Sequence, residues 1–420
     1  MSGPSEMNYD TLVHARENED KETYKKNIET IFDYKHRLVN SIDEVVNIDE
    51  IRRLAYSKMN MNALSYYMSG SGDEQSLNRN YKIFSKILMY PRILRNVNHI
   101  DTSVTILGQK FPFPVILAPT AMQKLCHPQG EIGVLKAAKS RNVLMCLSSI
   151  SSTPMMEVAK EAKGHPMWFQ LYVKNDRKMT QKLVKYCEKY GFGAICVTVD
   201  APVLGYRERD FMIKFSIPKT FNYKDITVEK GQEGTNKGAH EEQRPKTKKP
   251  NSELFSFFDS NMETTINWDF VTWLRSITKL KIVLKGVHRV DDALKAQEMG
   301  VDGIIVSNHG GRQLDTVPST IEMLIPIAKA LKKRDPNSKM ELYVDGGIRR
   351  GNDIIKALAF GAKAVLIGRS MLWGLAAGGQ EGVEKVLDML KMEMIHGMKL
   401  LGSTNLGEIT EDLVLYKSKF

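Results

Sequence analysis

Apolar positions along this chain follow two rhythms. Over residues 48–70, Ile51, Leu54, Ala55, Met59, Leu64 and Tyr67 recur at irregular helical spacing behind Asn47 and Asp49, either of which can cap a helix start. One helix is expected there. From Phe111 a second rhythm begins, in which short apolar runs are followed by helical stretches. The runs are Val115–Pro119, Leu144–Ser149, Trp168–Val173, Ala194–Asp200, Lys281–Val287, Gly303–His309, Glu341–Gly347 and Ala364–Arg369. Helical patterns lie between and after them, at Glu131–Ser140, Asp176–Tyr190, Asp291–Glu298, Ile321–Lys333, Asn352–Phe360 and Gly382–Met398. Strands alternating with helices pair in parallel, and eight of them predict an α/β protein built as a closed (β/α)8 TIM barrel. An open doubly wound sheet is the competing architecture, and no early GxGxxG turn supports it.

These rhythms divide the chain. Residues 1–45 read as a flexible N-terminal segment, 46–110 as a helical extension packing on the barrel, 111–405 as the barrel, and 406–420 as a C-terminal tail. One interval is out of step. From Asp210 to about Asn267, after the fourth strand, no strand–helix unit is evident, and 229–253 is rich in Lys, Glu, Gly, Asn, Gln and Pro. A connection of that length is expected to be a mobile loop over an active site.

Composition narrows the function. Of 420 residues 42% are apolar and 26% charged, which suits a globular protein with a sizeable core. The formal net charge is +11, but the basic run Arg244–Lys249 has no interleaved aromatics and reads as a solvated loop, not a nucleic-acid site. A basic enzyme for acidic substrates fits the same charge. Cys126, Cys146, Cys187 and Cys196 show no CxxC or CxxH spacing, so they are expected to be reduced thiols and no metal site is expected. No apolar stretch reaches about 18 residues, so no membrane span is expected. The first forty residues lack a signal-peptide core and carry many acids. The chain ends Ser418-Lys419-Phe420, one residue away from the Ser-Lys-Leu peroxisomal address, which makes a peroxisomal or cytoplasmic location the expectation.

The candidate chemistry sits at the ends of the strands, where barrels of this kind carry their active sites. The sixth run stops in Ser307-Asn308-His309-Gly310-Gly311-Arg312, which puts a base and a cation together at the rim. His309 could act on the chemistry of a small anion and Arg312 on its carboxylate. The first run ends Ala118-Pro119-Thr120-Ala121, and the second ends Ser148-Ser149. Gln170 and Tyr172 point the same way on the third, as do Thr198 and Asp200 on the fourth, with Arg207 beyond. Lys285 precedes Gly286 on the fifth. Asp345, Gly347, Arg349, Gly368 and Arg369 follow the last two, where barrels commonly hold phosphate, so a phosphorylated cofactor is expected. Taken singly, each of these residues has a structural explanation; eight strand ends with polar or glycine residues point to a site.

With these residues in hand, the chain resembles the FMN-dependent 2-hydroxy acid oxidases and dehydrogenases, namely glycolate oxidase, lactate oxidase and the flavin domain of flavocytochrome b2. The likeness spans roughly 48–405 and is most specific at Ser307–Asp315, with support from Tyr66–Gly70, Ala118–Met122, Gln170–Val173, Thr198–Asp200, Leu284–Val287 and Asp345–Gly351. The resemblance implies that His309 is the base and that Asp200 stabilises its imidazolium form. It implies that Arg312, Arg207 and Tyr66 clamp the substrate carboxylate, and that Tyr172 faces the substrate hydroxyl. Lys285 would lie near flavin N1, against negative charge on the ring. Pro119, Thr120, Ala121, Ser148, Gln170, Thr198 and Ser307 would touch the ring system, and Asp345, Gly347, Arg349, Gly368 and Arg369 the ribityl chain and phosphate. The base would take either the Cα proton or the hydroxyl proton, and the sequence does not choose. Family members are commonly homotetramers.

The sequence also departs from the glycolate oxidases. Ile150 stands where they carry a tryptophan in the pocket around the substrate side chain. A smaller residue there favours lactate or a somewhat larger 2-hydroxy acid over glycolate. The long loop after the fourth strand is nearer in length to that of flavocytochrome b2, but no His-Pro-Gly-Gly haem motif is present, and about 45 N-terminal residues cannot hold a cytochrome domain. Oxygen is therefore the expected acceptor, giving hydrogen peroxide. A quinone or protein acceptor is the alternative. A catalytically silent FMN-barrel binding protein is a different class of reading, which the full set of His309, Asp200, Arg312, Tyr172 and Lys285 opposes.

Overall fold

Eight parallel strands close into a barrel in the computed structural model, which describes residues 37–218, 255, 258 and 262–416. They are β1 (Val115–Leu117), β2 (Leu144–Ser148), β3 (Met167–Leu171), β4 (Ala194–Thr198), β5 (Lys281–Val287), β6 (Gly303–Val306), β7 (Glu341–Asp345) and β8 (Ala364–Ile367). Neighbours in sequence pair throughout, and β8 returns to β1 with Val365 opposite Val115. This is the (β/α)8 TIM barrel. Its strands are almost wholly buried apolar runs, as parallel strands covered on both faces must be.

Most strands end earlier than their apolar runs predict. β1 stops at Leu117, not Pro119, β4 at Thr198, not Asp200, and β6 at Val306, not His309. The polar residues at each run's end therefore lie on the loops just above the barrel rather than in the ladders. The one helix expected over 48–70 is two, Ile48–Lys58 and Met61–Met68. Asn60 accounts for the break: its side chain accepts from the Ala63 N–H at 2.9 Å, and so starts a second helix where the first would have continued. Sequence periodicity also missed the helices Met155–Ala162 and Asp269–Ile277. The last long helix runs Arg369–Leu401, with a kink at Gly378 and Gly379, instead of beginning at Gly382.

Inside the barrel, Ile116, Cys146, Trp168, Cys196, Val283, Ile305, Tyr343 and Leu366 form a packed apolar layer. Trp168 and Tyr343 meet edge to face with centroids 5.5 Å apart. Val104–Ile106 pairs with Gln109–Phe111 in a hairpin whose Val104, Ile106 and Phe111 pack into the same layer. The barrel interior is thus solid, and the polar residues gather at its C-terminal mouth. Helices Met61–Met68 and Gln75–Lys82 approach that mouth. Asp315 accepts from the Ser76 N–H at 2.8 Å, and Asn80 and Asn308 exchange amide hydrogen bonds at 2.8 and 2.9 Å.

The four cysteines are free thiols. Among the described residues no helix is long and apolar enough to cross a membrane, and no cluster of His, Cys, Asp and Glu could hold a metal ion. Residues 1–36, all of 229–253 with its basic run Arg244–Lys249, and Ser418-Lys419-Phe420 lie outside the described residues.

Candidate active site

A polar tier crowns the apolar layer. Register sets Ser148 opposite Gln170 and Thr198 opposite Lys285. Gln170 Nε2 donates to Thr198 Oγ1 at 2.9 Å, while its Oε1 accepts from Ser148 Oγ and the Ser149 N–H at 3.3 and 3.2 Å. Lys285 Nζ donates to Ser307 Oγ at 2.9 Å and lies 3.2 Å from Asp345 Oδ2; Ser307 Oγ donates to the same oxygen at 2.8 Å. Burial alone would weaken the Lys285 ammonium, but Asp345 and Asp200 outweigh it and hold the lysine above its ordinary pKa.

His309 stands at the edge of this tier in a left-handed conformation, φ 57°. For a non-glycine residue that is uncommon, although histidine tolerates it better than most. Its N–H donates to Ser307 Oγ at 3.1 Å, tying the loop back to β6. His309 Nδ1 lies 3.1 Å from Asp200 Oδ1. An ionised carboxylate only accepts, so Nδ1 carries the proton and Nε2 is left as the basic nitrogen. Tyr172 offers its hydroxyl to Nε2 at 3.3 Å. Burial lowers the His309 pKa below its usual value, against the pull of Asp200, so the imidazole is neutral at pH 7. The Asp200 side chain is only 2% exposed; burial raises its pKa, but His309 and Lys285 prevail and keep it ionised. Gly286 makes the approach possible. It has φ +107°, and a Cβ there would come within 2.4 Å of Asp200 Cβ.

Opposite the histidine lie two guanidinium groups. Arg312 Nη1 donates to the carbonyls of Tyr66 and Ser69 at 2.6 and 2.9 Å, and its head lies over the Tyr66 ring at 4.8 Å. Arg207, 4% exposed, donates from Nε to the Arg312 carbonyl at 3.2 Å. Burial and the neighbouring Arg312 bring its pKa down to about 10. A buried guanidinium beside a half-buried one is costly, and such a pair favours a carboxylate between them.

One cleft of roughly 1190 Å³, open to solvent, joins these groups. Tyr66, Ile150, Tyr172, Arg207, His309 and Arg312 line it. So do Pro119, Thr120, Ala121, Ser148, Gln170, Thr198 and Lys285, and, at its far end, Asp345, Gly347, Arg349, Gly368 and Arg369. Asp200 and Ser307 stand behind the wall, each bonded to a residue that forms it. All the candidate residues therefore converge. Sequence reasoning missed Tyr81, whose ring centroid lies 3.6 Å from the Arg349 guanidinium carbon in the same cleft. It missed Gln313, whose Nε2 donates to the carbonyls of Asp200 and Val203. Leu204 and Phe258 were missed as well; they add an apolar wall, Phe258 meeting Tyr172 edge to face at 5.0 Å. Gln313, one residue past Arg312, was legible as a neighbour of the motif; Phe258 carried no periodic signal.

The cleft suits the flavin expected from the sequence. Asp345 Oδ1 is buried without a hydrogen-bond partner, an open acceptor for a ligand hydroxyl. A Cβ on Gly368 would meet Thr120 Cγ2 at 3.7 Å and Ala118 Cβ at 3.8 Å, ordinary contact distances, so this turn lies against the residues that follow β1. Gly368 also starts the helix Arg369–Leu401, whose positive end and the guanidiniums of Arg349 and Arg369 suit a phosphate.

The comparisons agree. Residues 55–416 match the FMN-dependent dehydrogenase family. A peroxisomal (S)-2-hydroxyacid oxidase of Arabidopsis thaliana is 42% identical over 89% of this chain and 97% of its own length. An L-lactate oxidase of Nostoc is 41% identical over 88% of this chain and 98% of its own. Among solved structures, mandelate oxidase with (S)-4-hydroxymandelic acid superposes with a TM-score of 0.78 at 35% identity, covering 87% of this chain and 97% of that one. With His309, Arg207 and Arg312 gathered in one cleft and relatives this similar, the protein is an enzyme that uses FMN and belongs to the FMN-dependent 2-hydroxyacid oxidase family.

Proposed function

We propose that the enzyme oxidises an L-2-hydroxy acid with an apolar side chain, lactate or a somewhat larger acid in preference to glycolate, to the 2-oxo acid, with oxygen as final acceptor and hydrogen peroxide as product. The observation that carries the reading is the placement of His309 Nε2 across one cleft from Arg207 and Arg312, with Ile150, Leu204 and Phe258 lining the same space.

Arg207, Arg312 and Tyr66 would bind and orient the substrate carboxylate, fixing which face of Cα is presented. Tyr172 would hydrogen-bond the substrate hydroxyl. The reaction removes two electrons and two protons from the substrate; FMN, when bound, would supply the two-electron acceptor, and both electrons and both protons would finally leave with oxygen as hydrogen peroxide. His309 Nε2 receives one of the protons, from Cα or from the hydroxyl, and becomes an imidazolium. Asp200 stabilises that cation, so the base is neutral when substrate arrives and charged when product forms. Lys285, Gln170, Thr198 and Ser148 would hold the ring of FMN, and Arg349 and Arg369 its phosphate.

Anaerobic mixing tests the reading. The purified yellow protein is expected to bleach with lactate and 2-hydroxyoctanoate faster than with glycolate; strong glycolate preference overturns the substrate assignment. Ile150→Trp refills the pocket, and is expected to cut kcat/KM for 2-hydroxyoctanoate by about 10–100-fold while sparing glycolate. Equal losses on both substrates would mean that Ile150 does not sense the side chain. In air, one hydrogen peroxide per 2-oxo acid is expected. A quinone or carrier protein as acceptor would instead leave the reduced enzyme slow to consume oxygen.

A peroxisomal location and a homotetramer complete the proposal. The peroxisomal relative in Arabidopsis and the terminal Ser418-Lys419-Phe420 support the first. Diffuse cytosolic signal from the intact chain would count against it.

A further inference from the structure

One buried charge beside the clamp has no part in the scheme above. Asp210 lies on the short helix Glu208–Met212, its side chain only 3% exposed. Neither of its carboxyl oxygens has a hydrogen-bond partner. The Ser69 hydroxyl near it donates instead to the Tyr66 carbonyl at 3.0 Å. Its nearest cation, Arg207 Nη1, is 4.0 Å from Oδ2, beyond hydrogen-bond reach. A carboxylate placed this way costs desolvation and returns no directional bond, so a bland structural role does not account for it. What surrounds it is positive. Burial raises the Asp210 pKa, and Arg312 and Arg207 are the charges that oppose the rise. Arg207 does not depend on Asp210 for its position, because its Nε is held by the Arg312 carbonyl at 3.2 Å and its Nη2 lies 3.5 Å from Gln313 Oε1.

We propose that Asp210 is the resident counter-charge of the arginine pair: it neutralises part of their charge while the cleft is empty, and it limits how tightly a carboxylate is held once bound. The inference rests on the reading of Arg207 and Arg312 as the carboxylate clamp. The two guanidiniums alone, one buried and one half-buried, would bind any small carboxylate strongly, product included. A fixed negative charge behind them, out of bonding range, weakens substrate and product alike without occupying the N–H groups that face the cleft. Asp210 is thus a positioning residue that acts through the arginines, and it serves release more than capture.

The test uses FMN-loaded protein and 2-hydroxy-2-methylpropanoate, which keeps the carboxylate and hydroxyl but has no Cα hydrogen to lose. Binding is read from the perturbed flavin absorbance, with the neutral amide of the same acid as control. Asp210→Asn is expected to tighten the anion by about tenfold or more, the order expected for removing a like charge roughly 10 Å away, behind the guanidiniums, at an effective dielectric of about 20. Affinity for the amide should stay the same, and Asp210→Glu should restore the wild-type value. Unchanged or weaker anion binding by the asparagine variant overturns the proposal, as does equal tightening of acid and amide. Should the asparagine variant lose FMN, Asp210→Ser is read by the same criteria. Arg207→Met separates the two readings: if it leaves the preference for acid over amide intact, the clamp assignment itself fails, whatever Asp210 does.

Discussion

Replacing His309 with glutamine is expected to leave FMN bound and to slow substrate oxidation by about 10²–10⁴-fold, the range that a positioned general base contributes. Glutamine is close in length to histidine and is uncharged, so it fills the corner between Asp200 and Tyr172 without adding charge to a cleft that Arg207, Lys285, Arg312, Arg349 and Arg369 already line. It cannot accept a proton. The loss should fall on kcat, because the arginines and Tyr66 that would bind the carboxylate are untouched. Wild-type turnover in a purified, flavin-bound variant would refute the base assignment. The pH profile gives a second check on the same residue. Burial sets the His309 pKa below its ordinary value of 6.5, so kcat/KM should rise with pH through a point below 6.5 and stay level above it. Asp200 is the group that raises the His309 pKa, so Asp200→Asn should shift that limb to still lower pH while also lowering kcat, since the imidazolium loses its partner. A limb that moves upward would contradict the pairing.

Much of this site was legible because a barrel translates sequence into place. Once eight apolar runs are aligned, the residue that ends each run must sit at the mouth, and the period of two fixes which neighbours share its direction. Ser148, Gln170, Thr198 and Lys285 could therefore be read as one tier although they are far apart in the chain. The strands end earlier than their runs, but that does not disturb the reading, because His309, Asp200 and Pro119 follow directly from strand ends. Groups brought in by elements outside the repeat were not legible. Tyr81 comes from a helix that precedes the barrel, and Phe258 from the segment after β4, where no period marks it. Asp210 reads as one more charged residue in a polar stretch, and only its 3% exposure and unpartnered oxygens single it out. Asn60 was missed for a related reason. Hydrophobic spacing is continuous across it, and the break comes from a side-chain hydrogen bond that spacing does not register.

Replacing Lys285 with methionine is the other change expected to have a large effect, for both chemical and structural reasons. The ammonium is buried between Asp345 and Asp200, and its hydrogen bond to Ser307 Oγ joins β5 to β6 and, through Asp345, to β7. Methionine keeps the length and removes the charge. Asp345 is then a buried carboxylate without its cation, which typically costs about 3–5 kcal/mol. That loss should appear as a lower Tm and weaker retention of FMN. In the fraction that keeps FMN, the positive charge that would oppose charge building on the ring is absent, so anaerobic reduction by lactate should slow by about 10²-fold or more, as when one preorganised electrostatic group is lost. Lys285→Arg keeps the charge and should recover stability more fully than rate, because a planar fork cannot reproduce a compact ammonium between Ser307 and Asp345. Stability and reduction rate thus report on different things, the first on the Asp345 pair and the second on the charge facing FMN. An unchanged reduction rate in flavin-bound Lys285→Met would remove lysine from the chemistry and leave it only the task of neutralising Asp345.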